Sequence, residues 1–144
     1  MDKLRCSVRN MRFVVLHHTG WAGRPDHYDL LLEVSSSGGE DARALAAFAT
    51  AGDRFPTGQD CRMRRLENHR RFYLSYEGAV SGGRGQVVRA DAGELAELRR
   101  SGGVWTMRLE GRRLRGCYRL VRGEGDGCNF GRAKISHRAS STRK

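Results

Sequence analysis

Five histidines occur in the 144 residues: His17, His18, His27, His69 and His137. His27 and Asp29 stand two apart in the run His27-Tyr28-Asp29-Leu30-Leu31-Leu32-Glu33, so on an extended strand both leave the same face. His18 closes the preceding apolar run, Phe13-Val14-Val15-Leu16-His17-His18, and a hairpin would set it beside His27. Two imidazoles and a carboxylate form a borderline nitrogen–oxygen donor set suited to manganese, zinc or iron, with positions left for water or substrate. The same spacing also describes a hydrogen-bonded His–Asp couple that needs no ion.

His69 lies among Arg62, Arg64, Arg65, Arg70 and Arg71, with Glu67 two residues before it and Tyr73 four after. An imidazole beside guanidinium groups is what phosphate chemistry needs, because the arginines offset charge while the histidine stabilises an oxygen or moves a proton. A solvated basic segment has the same composition. The glycine-rich stretch Ser81-Gly82-Gly83-Arg84-Gly85 is not a Walker A loop and reads better as a tight turn than as a phosphate cradle.

These groups need strands to hold them. Residues 13–34 read as a hairpin: Tyr28, Leu30, Leu32 and Val34 alternate with His27, Asp29, Leu31 and Glu33, and Thr19 to Asp26 supplies the Gly and Pro of a loop. Ala42 to Ala51 fits either a short helix or a buried strand. Arg71 to Ser75 reads as a strand, Gln86 to Ala90 as another, and Ala92 to Arg100 has helical composition. Val104–Leu109 and Leu114–Val121 predict a second hairpin. Residues 1–11 form a polar lead-in, 12–122 one domain, and 123–144 a basic segment too poor in apolar side chains to order itself. The fold class expected is mainly β, a small antiparallel β-barrel or sandwich with one or two short helices.

The charge is concentrated in one residue type. Of 27 basic residues only Lys3, Lys134 and Lys144 are lysine, and the net charge is +11. Arginine grips phosphate with two parallel donors. Between Arg99 and Arg122 eight arginines face a single acid, Glu110. Such a field attracts polyanions in a salt-dependent way, nucleic acid first, with an anionic membrane surface matching the charge count equally well. No apolar run reaches the roughly 18 residues of a membrane span, and no signal-peptide core follows Met1. Cys6, Cys61, Cys117 and Cys128 are far apart, against a structural zinc site and consistent with free thiols in a reducing cytoplasm.

The two His/Asp blocks resemble the 3′-phosphoesterase domain of bacterial DNA ligase D, whose pattern is an apolar strand ending in His, a short loop, then H-Y-D-x-R-L-E. His69 through Tyr73 to Tyr76-Glu77-Gly78 is similar to the family's H-x-x-x-Y-x-x-[FY]-E-G, and Gly78 to Val87 to its glycine-punctuated run. Met107 to Gly111 with Leu114 to Arg122 resembles its closing hairpin. The resemblance covers about 12–122.

It implies a small β-barrel with the active site in a groove, and a manganese-dependent hydrolase that trims 3′ ends at primer–template junctions by phosphodiesterase and 3′-phosphatase steps. Carried over, His18, His27 and Asp29 would hold the metal, most naturally Mn, with Zn or another transition metal as alternatives. His69 and Tyr73 would engage the phosphate, with Glu67 a further site carboxylate. Departures from the pattern are a loop three residues longer between His18 and His27, and Leu31 where the family has a phosphate-contacting arginine. A second family arginine maps to Arg62, Arg64 or Arg65; strand parity with His69 favours Arg65, and Arg70 would compensate at the Leu31 position. The expectation is a monomeric, cytoplasmic enzyme of DNA end repair, acting in non-homologous end joining with a ligase or polymerase in trans. The alternatives are a catalytically weak nucleic-acid-binding module of the same fold and a phosphatase or cyclic phosphodiesterase acting on small nucleotides.

Overall fold

The computed structural model describes residues 5–6, as backbone only, and 11–133. The strands are β1 (Arg5–Cys6), β2 (Arg12–Thr19), β3 (His27–Glu33), β4 (Leu45–Thr50), β5 (Cys61–His69), β6 (Gly78–Ala79), β7 (Gln86–Ser101), β8 (Val104–Glu110), β9 (Arg115–Arg122) and β10 (Gly127–Arg132), with a 3₁₀ turn at Arg71–Leu74. The antiparallel order β7-β2-β3-β4-β5-β10-β9-β8 closes where β8 returns to β7, giving an eight-stranded barrel. No helix among the described residues is long and apolar enough to cross a membrane.

Both faces of the β2–β3–β4 wall are buried, against different cores. Phe13, Val15, Leu30, Leu32, Ala46 and Phe48 point into the barrel with Tyr118, Leu120 and Phe130. Val14, Leu16, Leu31, Leu45 and Ala47 point out, beneath Leu74, Val80 and Val87. The alternation expected for β3 is present, yet its second face is not solvated, because the 3₁₀ turn and the loop before β7 roof it over. That second core is the floor of the candidate groove. Arg71 anchors the roof: its guanidinium meets Glu33 at 2.8 Å and donates to the carbonyls of Ser35, Ser37, Gly38 and Gly39. It is therefore not a free cation of the basic cluster.

Several local expectations are corrected. Ala92 to Arg100 is not a helix but the second half of the long, bent β7. A bulge between Leu95 and Glu97 adds one residue, so Leu95 and Leu98, three apart, both face the core and imitate helical spacing. Arg71 to Ser75 is not a strand: the 3₁₀ turn drops Leu74 onto the outer core. Ala42 to Ala51 resolves as a strand over Leu45–Thr50. The domain runs past residue 122, since β10 fills the gap between β5 and β9 and seats Phe130 in the barrel. The lead-in contributes β1, paired with β7. The expectation of disorder for 134–144 lies outside the described residues.

Candidate metal centre and phosphate groove

Register brings the candidate trio together. His18 pairs with His27 across the β2–β3 hairpin, and Asp29 follows two residues along the same face. All three are buried, 8, 7 and 3% exposed. One donor atom from each lies within 4.8 Å of the others, a cluster compact enough to hold one cation once the side chains draw in around it.

The ring tautomers follow from backbone carbonyls, which can only accept. His18 Nε2–H donates to the Arg84 carbonyl at 2.6 Å, and His27 Nδ1–H donates to the Pro25 carbonyl at 2.9 Å. With those nitrogens committed, each ring, unless it gains a proton, turns the lone pair of its other nitrogen to Asp29: His18 Nδ1 lies 3.1 Å from Oδ2 and His27 Nε2 3.3 Å from Oδ1. Asp29 Oδ1 is buried without an aligned hydrogen bond. Three acceptors aimed at one another require a positive charge between them, either protons on the rings or a divalent cation. With two nitrogens, one carboxylate and carbonyls fixing both rings, the residues fit a transition-metal ion.

The protonation tendencies agree. Contact with the Asp29 carboxylate raises the His27 pKa, against the opposing effect of burial and with help from the Pro25 carbonyl. Burial alone would raise the Asp29 pKa, but the two imidazoles outweigh it and hold the carboxyl below the usual range.

The Val80–Gly85 turn reaches this centre through its backbone rather than as a phosphate cradle. It closes with Val80 N–H donating to the Gly85 carbonyl, and it delivers the Arg84 carbonyl to His18. Gly85 has φ +77°, and a Cβ there would stand 2.1 Å from the Thr19 carbonyl oxygen, so only glycine allows the approach.

His69, Tyr73, Glu67 and Arg70 line the same groove as the trio, a cavity of about 250 Å³ over the outer core. His69 Nδ1–H donates to the Glu67 carbonyl at 2.9 Å, leaving Nε2 as the nitrogen available for chemistry, and the ring meets Tyr73 edge-on. The Glu67 carboxylate is exposed at the rim. Arg70 is tied to Asp41 at 3.0 Å and lies over the Phe72 and Tyr73 rings.

The other arginines fall elsewhere. Arg65, favoured by parity, is turned away: its guanidinium packs over Phe48 and Trp105 and bonds the Asn68 side chain, beside a separate cavity lined also by Leu120 and Cys128. The β4–β5 register slips between Leu45 and Ala47, so Leu66 and His69 share the outer face three residues apart and parity with Arg65 is broken. Arg62 and Arg64 border an adjoining cavity that shares Arg24 and His27 with the groove. Arg64 also sits in the cross-strand row Asp29–Ala49–Arg64. Leu31 is fully buried in the outer core, where an arginine would lose its hydration.

Two groove residues escaped the sequence reading. Trp21 stacks on His18 with ring centroids 5.3 Å apart, and Arg24 lies 4.6 Å above the indole. Their signal was a single aromatic in an otherwise Gly-, Pro- and charge-rich loop. The fold and site define a closed β-barrel carrying a buried two-histidine, one-carboxylate centre beside an arginine-rich groove. Comparison of the chain with protein-family models and with curated proteins finds no match.

Proposed function

We propose that the protein is a metal-dependent phosphoesterase that processes the 3′ ends of DNA or RNA, as a 3′-phosphatase, a 3′-ribonucleoside phosphodiesterase, or both. The observation that carries this reading is the convergence of three acceptor groups, tautomers fixed, in the groove that also holds His69 and Tyr73. When bound, a divalent cation supplies Lewis acidity toward a phosphoryl oxygen. His18, His27 and Asp29 hold that cation, manganese in the first instance. His69, with Nδ1 committed to a carbonyl, uses Nε2 to hydrogen-bond the phosphate or move a proton, and Tyr73 packs against its ring. Arg70 on one side and Arg64 and Arg62 on the other set a positive field along the path of a polyanion. The +11 charge favours nucleic acid over a small nucleotide as substrate. A place in DNA end repair, with a ligase or polymerase acting in trans, is part of the same proposal.

The test is phosphate release from a 3′-phosphate-terminated primer–template with manganese, against the same reaction in EDTA. Release that EDTA and His27→Ala abolish supports the reading; release unchanged in His27→Ala contradicts it. The burial of Leu31 at a phosphate-contacting position of the resembling family favours one second reading, a nucleic-acid-binding barrel without turnover. That module would bind DNA in a salt-sensitive way and release no phosphate with any divalent ion.

A further inference from the structure

The four arginines that line the groove are not equivalent. Arg43 donates to the Asn68 carbonyl, Arg70 pairs with Asp41, and Arg84 is bound to the Ser81 carbonyl and hydroxyl. Arg24 alone among them has no hydrogen-bond or carboxylate partner for its guanidinium among the described residues; that group rests on the Trp21 ring. The indole beneath it stacks on His18, and its own N–H makes no hydrogen bond among the described residues. Trp21 is half-buried and Arg24 exposed, at the boundary between the groove and the adjoining cavity of about 540 Å³.

A planar cation held against an indole by stacking alone occupies the place a planar nucleobase would take. Exchanging it costs no ion pair, and the freed guanidinium can cover the base's outer face or meet a neighbouring phosphate. Because the indole stacks on a residue of the metal trio, a base lying on it belongs to the nucleotide whose phosphate is at the centre. Trp21's free N–H adds a donor at the edge of that base.

We propose that Trp21 is the shelf on which the base of the terminal nucleotide stacks, with Arg24 the displaceable lid above it. The inference rests on the phosphoesterase reading for its substrate and makes the enzyme selective for a nucleotide end over a bare sugar phosphate.

Two measurements test it. In the first, full-length protein with manganese is given a 3′-phosphate end bearing a terminal base and the same end with an abasic terminal sugar. The wild type is expected to prefer the base-bearing end by at least tenfold, about 1.4 kcal/mol, Trp21→Phe to keep most of that preference and Trp21→Ala to lose it. Both substrates pass through the same metal site, so general damage to the centre cancels in the ratio. Equal handling of the two ends by the wild type, or an unchanged ratio in Trp21→Ala, overturns the proposal.

The second measurement is tryptophan emission on addition of adenosine 3′-monophosphate without metal. Quenching in the wild type that is lost in Trp21→Phe, and absent with a base-free sugar phosphate, supports the shelf; no quenching, or quenching that survives in Trp21→Phe, overturns it. Should neither end be hydrolysed, the phosphoesterase reading fails, and the emission arm still decides whether the shelf binds a base.

Discussion

Asp29→Asn separates a metal centre from a proton-bridged cluster without cutting a hole in the fold. The amide keeps the carboxylate's shape but exchanges one acceptor for an N–H donor, and that donor meets a ring nitrogen whose lone pair is exposed by its carbonyl-bound partner nitrogen. The metal-free variant should therefore fold, within about 1 kcal/mol of the wild type, because a buried polar group that finds a partner costs little. Its ability to hold a cation should collapse, since the one anionic ligand is gone. If the wild type binds manganese at the trio, the ion at a hundred times its dissociation constant should stabilise the folded state by about 2.7 kcal/mol. For a domain of this size 1 kcal/mol moves the melting temperature by roughly 3–4 °C, so the expected rise is about 10 °C. Thermal melts with and without manganese read both numbers directly. A comparable manganese-dependent rise in Asp29→Asn, or no rise in the wild type at millimolar manganese, would refute the assignment of the trio.

Other consequences follow from the same geometry. His69→Gln should leave the manganese-induced rise in melting temperature intact while lowering phosphate release at least a hundredfold, the usual scale of a positioned acid–base group, as steady-state assays would show. Arg65→Gln should change 3′-phosphate turnover by less than about threefold, because its guanidinium packs on Phe48 and Trp105 away from the groove; a loss as large as that of His69→Gln would return Arg65 to the site. Asp91→Ala should cost about 3 kcal/mol in denaturant melts, since the buried carboxylate accepts from the backbone N–H groups of Ala92, Arg112, Arg113 and Leu114. In EDTA, the depressed Asp29 contributes stability that is present above its unfolded value of 3.8 and lost as pH falls through its folded value. The raised His27 contributes stability that is full below 6.5 and lost as pH rises through its folded value. Metal-free stability from this pair should thus peak between those limits, and His27→Ala should flatten the alkaline side of a melting-temperature–pH profile.

What could be read in the sequence was whatever obeyed a two-residue period. The alternation from His27 to Val34 located β3, put Tyr28, Leu30 and Leu32 inside, and set His27 and Asp29 on one face; the hairpin argument then brought His18 opposite His27. The failures share a cause. A bulge in β7 places Leu95 and Leu98 on one face and passes for a helix, and a register slip at β4–β5 breaks the parity that pointed from His69 to Arg65. A local pattern cannot reveal an extra residue in a ladder, because the partner strand defines it. The outer core was equally hidden: Leu31 reads as a misplaced apolar residue until the 3₁₀ turn brings Leu74, far along the chain, into the same cluster. β10 went unseen because Phe130 is its one fully buried side chain among glycines and polar residues.

Crystals of the full chain soaked in manganese chloride, measured at a wavelength where manganese scatters anomalously, would address the central claim most directly. A single anomalous peak within direct bonding distance of His18 Nδ1, His27 Nε2 and an Asp29 carboxylate oxygen is the expected result. A peak at some other cluster with this pocket empty, or an ordered trio bridged only by hydrogen bonds at saturating manganese, would contradict it.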